Sequence, residues 1–193
     1  MNASKAEIRR GLIERRRALS AAEVAAFSER AQEHVLRSEA YARARAVALY
    51  AAFANEVRTD RVLGRLLADG KAALFSRLRG RGPAMDFCRV TDLGEMVETR
   101  LGYLEPGPKA PVAPLAAIDL MLVPGVGFDR EGYRIGFGYG CYDRLLAGLR
   151  PEALTCGLCY GFQVMARLPR EAHDVPVKTL VTEAGFIPVR RNG

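Results

Sequence analysis

The residues best suited to chemistry lie in one glycine-rich stretch, residues 123–146, with the sequence VPGVGFDREGYRIGFGYGCYDRLL. Gly136, Gly138 and Gly140 alternate with larger residues, so a backbone without Cβ atoms could approach a ligand closely. A predicted helix follows at once, and the free N–H groups at a helix start attract anions. Arg134 could add a charge-assisted hydrogen bond to a phosphate oxygen. The stretch predicts a phosphate-binding loop, with a purely structural strand-to-helix turn as the alternative.

Asp143 comes soon after the last of these glycines, where a carboxylate could hold Mg²⁺ against bound phosphates. Mg²⁺ usually takes only one or two protein carboxylates. An acid near a helix start is also favoured by the helix dipole alone, and this structural role stays open. The G-x-G-x-G spacing matches neither the Walker lysine loop nor the dinucleotide-binding fingerprint, so neither of those classes is predicted.

Predicted strands and helices alternate along the sequence that surrounds this loop. Capping boxes at Ser4–Glu7 and Ser20–Glu23 predict two N-terminal helices, the second ending near Arg37. Residues 102–116 hold four prolines and two glycines, which predicts a crossing loop. Apolar runs and helical spacing predict the remaining elements. They are strands at 46–53, 71–76, 85–90, 118–124, 155–161 and 178–183, and helices at 60–70 and 141–149.

This alternation is typical of the α/β class. The sequence predicts one domain over residues 1–193, a three-layer sandwich in which helices flank a mostly parallel central sheet. Ligands of such proteins bind at the carboxyl ends of the strands. The glycine-rich stretch follows the predicted strand at 118–124, so we expect it at that edge.

The composition predicts a globular protein with an anionic ligand. Lys plus Arg number 29 against 22 Asp plus Glu, and the formal net charge is +7; an Arg-rich solvated surface is the alternative explanation. No tryptophan and no aromatic-basic motif is present, so we expect no nucleic-acid partner. The longest apolar run, 110–128, is broken by Asp119 and three prolines, and the basic N-terminus does not resemble a signal peptide. We expect a cytoplasmic monomer without membrane contact.

Two further patterns predict structural roles. Cys156 and Cys159 form a C-x-x-C within a predicted strand, where residues three apart point to opposite faces. We therefore expect ordinary buried thiols instead of a redox pair or a zinc site. The run Arg15–Arg17 predicts a solvated helix face.

Residues 124–146 resemble the signature of the 5-formyltetrahydrofolate cyclo-ligase family, also called methenyltetrahydrofolate synthetase. That signature has the form P-G-x-x-F-D-x-x-G-x-R-x-G-x-G-x-G-x-Y-D-x-x-L. It is matched in register by Pro124-Gly125, Phe128-Asp129, Gly132, Arg134, Gly136, Gly138, Gly140, Tyr142-Asp143 and Leu146. Shorter family elements resemble Lys5 with Arg9, Tyr50 with Glu56-Val57-Arg58-Thr59, Glu105-Pro106, His173-Asp174 and Thr182-Glu183-Ala184-Gly185. The resemblance therefore covers most of the chain.

The resemblance implies an enzyme that converts ATP and 5-formyltetrahydrofolate to 5,10-methenyltetrahydrofolate, ADP and phosphate. It implies ATP binding by Lys5, Arg9, Arg134, Gly136, Phe137, Gly138, Tyr139, Gly140, Cys141 and Tyr142. It implies binding of the reduced folate by Arg9, Tyr50, Ala51 and Glu56, with Arg134 and Tyr142 as catalytic residues. It implies Mg²⁺ as the metal, held by Asp143 and Asp174. From the residues alone, Lys5 and Arg9 would be a basic helix face, and Glu56 an acid at a helix start.

This chain departs from the family pattern at four positions. The family often has Gly or Lys at Tyr139, Tyr at Cys141, an acid at Lys178 and Pro at Ser76. None of these departures removes Arg134, the glycines or Asp143. Two alternative functions remain: an ATP-binding paralogue that acts on a different substrate, and a basic nucleic-acid-binding protein.

Overall fold

The computed structural model describes residues 4–80, 84–100 and 102–190, so a few positions of the predicted 1–193 domain lie outside the described residues. Over these ranges the helices are α1 Lys5–Arg17, α2 Ala21–Leu36, α3 Glu39–Arg43, α4 Asp60–Ala68 and α5 Cys141–Ala147. Short 3₁₀ turns lie at Leu93–Glu95, Leu115–Ala117 and Gly161–Gln163. Both predicted capping boxes are confirmed, because Ser4 and Ser20 accept from the backbone of Glu7 and Glu23 and each glutamate side chain accepts in return.

The strands of the described chain are mostly short. They are β1 Ala46–Leu49, β2 Ala72–Leu78, β3 Met85–Arg89, β4 Met96–Glu98, β5 Leu104–Pro106, β6 Val112–Ala113, β7 Leu120–Val123, β8 Gly127–Asp129, β9 Arg134–Ile135, β10 Leu154–Leu158, β11 Val164–Met165, β12 Thr179–Thr182 and β13 Gly185–Pro188.

The main sheet has eight strands in the order β13-β12-β10-β7-β1-β2-β3-β6. The strands from β12 to β2 pair in parallel, while β13, β3 and β6 pair antiparallel at the two margins. β1 and β7 are buried at every residue, because a parallel sheet covered on both faces needs apolar side chains on both faces. The predicted α/β fold, a mostly parallel sheet flanked by helices, is confirmed.

The crevice for a ligand follows from the strand order. The chain adds β2 on one side of β1 and later adds β7 on the other side. The loops that leave β1 and β7 therefore diverge at the carboxyl edge, and such a switch point is where open α/β sheets bind ligands. The segment from Tyr50 leaves β1 at this edge, and the glycine-rich stretch leaves β7.

Two apolar cores lie on opposite faces of the sheet. One joins β1 to α2 and α4, and the other joins β1 and β7 to α5. Cys156 belongs to the first core and Cys159 to the second, and both are buried free thiols. The prediction of ordinary buried cysteines on opposite faces is confirmed.

A smaller apolar cluster attaches α1 to the glycine-rich stretch. Ile8, Leu12 and Ile13 of α1 pack against Val126 and Ile135. The N-terminal helix therefore lies beside the crevice, although more than a hundred residues separate the two segments in the sequence.

Several predicted boundaries were wrong. The strand predicted at 46–53 ends at Leu49, and the loop predicted at 102–116 contains β5 and β6. The glycine-rich stretch itself contains β8 and β9, which form a small sheet with β11. These strands are two to three residues long and are stabilised by partners distant in sequence, so local periodicity carries little signal for them. None of the helices in the described ranges is long and apolar enough to span a membrane.

Candidate active site

A cavity of about 320 Å³ lies at the carboxyl edge of β1 and β7, within the size range of small-molecule sites. Every residue predicted for the site lines this cavity: Lys5, Arg9, Tyr50, Ala51, Glu56, Arg134, Gly136, Phe137, Gly138, Tyr139, Gly140, Cys141, Tyr142, Asp143 and Asp174. The structure thus brings together residues from α1, the loop after β1, the glycine-rich stretch and the loop before β12.

A hairpin of β8 and β9 positions Arg134 at the start of the glycine loop. Phe128 pairs with Arg134 across the hairpin. Asp129 is fully buried, and its Oδ1 accepts the N–H groups of Glu131 and Tyr133 at 2.9 and 3.0 Å. Arg170 donates to Asp129 Oδ2 at 3.1 Å and lies 4.0 Å from the centre of the Tyr133 ring. These contacts satisfy the buried carboxylate and hold the turn in one conformation.

The glycines after β9 allow a backbone that other residues resist. Gly138 has a φ of 98° and Gly140, the N-cap of α5, has a φ of 65°, both in the left-handed region that favours glycine. Arg9 Nε donates to the Gly136 carbonyl at 2.7 Å. Arg9 therefore contacts the loop, and the alternative of a purely solvated helix face is wrong for this residue.

Arg134 and Asp143 form a partly buried ion pair in the wall of the cavity. Arg134 Nη1 donates to the Val175 carbonyl and Nη2 donates to Asp143 Oδ1, both at 2.8 Å. Asp143 Oδ1 also accepts the Val175 N–H at 3.1 Å. Arg134 is only 8% exposed, and burial lowers the pKa of its guanidinium although Asp143 opposes this effect.

Lys5 lies between two acids of the loop before β12. Its Nζ donates to Asp174 Oδ2 at 2.8 Å and to Glu171 Oε1 at 2.9 Å. Burial alone would lower the pKa of Lys5, but the two carboxylates outweigh burial and raise it. Burial would raise the pKa of Asp174, but Lys5 and the Glu171 N–H together lower it. Lys5 is therefore a cation held inside the site, and Asp174 is ionised.

The two carboxylates predicted to hold Mg²⁺, those of Asp143 and Asp174, both line the cavity. Asp143 contacts the backbone of Val175, the residue next to Asp174, so the two acids belong to adjoining segments. Within the described ranges, no group of three or more His, Cys, Asp or Glu side chains could hold a metal ion by itself. A pair of carboxylates fits Mg²⁺, which usually completes its shell with water and phosphate oxygens.

Glu56 lies at the end of a tight turn after β1 and is 7% exposed. Helix α4 begins later, at Asp60 with Thr59 as its N-cap, so Glu56 does not cap a helix. Burial raises the pKa of Glu56 to about 7, and the charge of Arg16 opposes this rise. Arg16 Nη1 lies 3.5 Å from Glu56 Oε1. Arg16 is 2% exposed, so the prediction of a solvated face was wrong for this arginine.

Tyr142 lies in the first turn of α5, and Tyr142 and Ser76 both line the cavity. Burial raises the pKa of the Tyr142 phenol, so the hydroxyl is neutral. Burial likewise raises the pKa of the Cys141 thiol. Of the four departures from the family pattern, Ser76, Tyr139 and Cys141 line the cavity. Lys178 instead donates to the carbonyls of Pro151 and Ala153.

The sequence did not predict that Phe53 and Tyr103 join Phe137 at the cavity. The Phe53 ring centre lies 5.9 Å from that of Tyr103 and 5.6 Å from that of Phe137, in the range of favourable aromatic pairs. Phe53 and Tyr103 both line the cavity, as does Glu105. Phe53 and Tyr103 lie in loops fifty residues apart, so no local spacing marks them as partners.

Comparison with known proteins gives one consistent result. A model of the 5-formyltetrahydrofolate cyclo-ligase family matches residues 1–183. The chain is 26% identical to the 5-formyltetrahydrofolate cyclo-ligase of Mus musculus, with 95% of each chain covered. It is 28% identical to the enzyme of that name from Escherichia coli K12, with 88% of this chain and 94% of the relative covered. The NMR structure of Aquifex aeolicus 5,10-methenyltetrahydrofolate synthetase superposes with a TM-score of 0.85 at 33% identity, covering 98% of this chain and 94% of that chain.

Proposed function

The chain belongs to the 5-formyltetrahydrofolate cyclo-ligase family, and we propose that it closes 5-formyltetrahydrofolate to 5,10-methenyltetrahydrofolate with ATP, releasing ADP and phosphate. One observation carries this proposal. The site residues implied by the family signature lie in distant parts of the sequence, yet all of them line a single cavity. That cavity contains cations suited to phosphates, two carboxylates suited to Mg²⁺, and a buried acid beside aromatic rings.

We assign the triphosphate of ATP to the basic side of the cavity. Arg134 offers a planar guanidinium, which suits phosphate oxygens. Arg9 already contacts the glycine loop through Gly136, and Lys5 supplies a second charge from the same helix. The glycine-rich backbone up to Tyr142 lets phosphate oxygens approach N–H groups without collision with Cβ atoms.

Asp143 and Asp174 are the residues that would hold Mg²⁺, which when bound neutralises charge on the transferring phosphoryl group. Asp143 Oδ2 makes no hydrogen bond within the described part of the chain, because the contacts to Arg134 and Val175 both use Oδ1. One carboxylate oxygen is therefore available for a metal while the other still positions Arg134.

We assign the reduced folate to the cavity wall formed by Tyr50, Ala51 and Glu56. An ionised carboxylate accepts hydrogen bonds only, so Glu56 suits the N–H groups of a pterin. The rings of Phe53 and Tyr103 add an apolar surface next to this acid. Arg9 lies where it can contact both substrates.

The proposed chemistry needs no covalent nucleophile from the protein. The formyl oxygen is a poor leaving group until it receives the γ-phosphoryl group of ATP. N10 of the folate then attacks the formyl carbon, the proton on N10 is lost, and phosphate leaves with the former formyl oxygen. Arg134 would stabilise charge on the transferring group, and the neutral Tyr142 hydroxyl would donate a hydrogen bond beside it, so catalysis rests on position and electrostatics.

The test is the near-ultraviolet absorbance of the methenyl product. Purified protein with 5-formyltetrahydrofolate, Mg²⁺ and ATP is expected to develop this absorbance, with one phosphate released per product. Reactions without ATP, or with chelated Mg²⁺, are the controls and should stay flat. Folded protein that forms no ATP-dependent product would overturn the proposal.

A second candidate is ATP-dependent action on a different formyl or carboxyl compound. It is favoured by the location of Ser76, Tyr139 and Cys141, which depart from the family pattern and line the cavity. Phosphate release measured with a panel of such compounds separates the two. A kcat/KM for another compound above that for 5-formyltetrahydrofolate would favour this candidate.

A further inference from the structure

Arg16 is a buried cation behind the cavity. It lies in the last turn of α1, is 2% exposed, and does not line the cavity, whereas its partner Glu56 does. Its Nε is buried without a hydrogen bond in the described structure. A buried ion pair is seldom a gain in stability over apolar packing, so its location beside the folate wall suggests a role in the site.

The backbone around this pair holds Arg16 and Glu56 together. Glu56 ends a turn in which Ala54 and Asn55 have φ values of 48° and 60°, a strained region for residues other than glycine. Asn55 Nδ2 donates to the carbonyls of Arg16 and Leu19, both at 3.3 Å. The Asn55 amide therefore attaches the Glu56 turn to the same helix end that carries Arg16.

Other contacts restrict the turn further. The Tyr160 hydroxyl donates to the Asn55 carbonyl at 3.0 Å. Phe53 N–H donates to Glu56 Oε2 at 3.4 Å, and Glu56 N–H donates to the Phe53 carbonyl at 3.0 Å. The Glu56 carboxylate thus has a set direction and little freedom to seek another partner.

The charged and titratable groups that face Glu56 come from every element packed around it. Arg16 on α1 is the cation of the described chain that acts on its carboxylate. Tyr50 after β1, Tyr142 on α5 and Tyr160 after β10 are the other groups. Burial raises the pKa of all three phenols, so they are neutral and leave Arg16 as the charge that favours ionised Glu56.

We propose that Arg16 is a positioning residue that keeps Glu56 ionised and directed into the cavity, where the carboxylate accepts hydrogen bonds from the pterin. This inference rests on the proposed function, because it assigns that acceptor role to Glu56. Arg16 itself touches no substrate and acts through Glu56.

The proposal makes folate binding dependent on pH. Glu56 has a pKa of about 7, so the accepting form is present above pH 7 and is lost as the pH falls through 7. The apparent affinity for the folate falls with the fraction of protein in which Glu56 is ionised, about tenfold for each pH unit below the pKa. An opposite charge at this distance is worth about one to three pKa units. When KM for the folate is plotted against pH, loss of the Arg16 charge therefore moves the midpoint of the curve upward by about one to three pH units. It leaves kcat at high pH nearly unchanged.

The experiment measures KM and kcat for 5-formyltetrahydrofolate from pH 6 to 9 in wild type, Arg16→Met, Arg16→Gln and Arg16→Lys. Arg17→Met is the matched control, because Arg17 is the exposed neighbour on the same helix. The Glu56 carboxyl is titrated in the same proteins by ¹³C NMR, with its signal identified by its loss in Glu56→Gln. Thermal unfolding checks that each variant is folded.

We expect Arg16→Met to raise two pH midpoints, that of the KM profile and that of the Glu56 NMR titration. We expect a smaller upward shift of both in Arg16→Lys and wild-type values in Arg17→Met. Wild-type midpoints in folded Arg16→Met would overturn the inference. If Arg16→Met does not fold, wild-type midpoints in Arg16→Gln, which also lacks the charge, would overturn it. A wild-type protein that forms no methenyl product would overturn the proposed function. The NMR titration would still decide whether Arg16 controls Glu56, since it needs no substrate.

Discussion

The Arg134 guanidinium divides its hydrogen bonds between the Val175 carbonyl and Asp143 Oδ1. Asp143 thus has a structural role, as partner of a buried cation, and a proposed role as metal ligand. The sequence left both roles open, and the ion pair is present in the structure. The two roles use different properties: hydrogen bonding needs an acceptor oxygen, whereas Mg²⁺ needs a carboxylate charge.

Asp143→Asn separates these roles. The amide oxygen still accepts from Arg134 and Val175, so we expect the variant to fold, with a lower melting temperature because the buried Arg134 loses its counter-charge. The lost charge weakens Mg²⁺ binding and charge neutralisation, and we expect kcat/KM to fall by roughly 100-fold or more. Steady-state assays across a range of Mg²⁺ concentrations measure this.

Glu152→Gln is the control for Asp143→Asn, because it makes the same change at an exposed position outside the cavity. It should keep wild-type rates. An Asp143→Asn enzyme with near wild-type kcat/KM would restrict Asp143 to its structural role.

Among the elements, the β8–β9 hairpin governs the geometry of the site. It is only a few residues long, yet Asp129 connects its turn to Arg170 and to the Leu168 N–H at 3.1 Å. Asp129 is fully buried, although aspartate is a residue type that is usually exposed. The hairpin is therefore stabilised by residues about forty positions along the sequence. The stabilised hairpin in turn fixes the position of Arg134 and of the start of the glycine loop.

Gly132 in this hairpin gives a prediction for stability. Its φ is 86°, and a Cβ there would collide with the Val177 carbonyl oxygen. We expect Gly132→Ala to lower the free energy of unfolding by roughly 3 kcal/mol, since left-handed strain and the collision add, and to lower kcat through displacement of Arg134. Urea unfolding measures the first effect.

Gly64→Ala is the matched control in α4, where a Cβ meets nothing within 4 Å. It should leave stability unchanged or raise it by up to about 1 kcal/mol, as Ala does in helices. Equal stability of the two variants would contradict the structural role of Gly132.

Over the whole molecule, the main layers could be predicted because their signals are local. Capping boxes mark α1 and α2, and runs such as Leu120–Val123 mark strands buried on both faces. Short elements such as β6 and β13 could not be predicted, because they form only by pairing with strands already in place.

The candidate site likewise contains residues that could be predicted from the sequence and residues that could not. The glycine loop and its acids have a spacing that could be recognised in one segment. Phe53 and Tyr103 meet only after the chain folds, and no sequence rule joins them. Arg16 stands in a run of three arginines that predicts exposure, and its burial depends on how α1 packs against the Asn55 turn.

We propose that this cavity activates a formyl oxygen by phosphoryl transfer from ATP. The most direct test is a single turnover with 5-formyltetrahydrofolate labelled with ¹⁸O in the formyl group, followed by mass analysis of the released phosphate. The proposed route predicts that each phosphate carries the labelled oxygen, because the formyl C–O bond breaks after the oxygen is phosphorylated. Unlabelled phosphate, with the label in water, would contradict it.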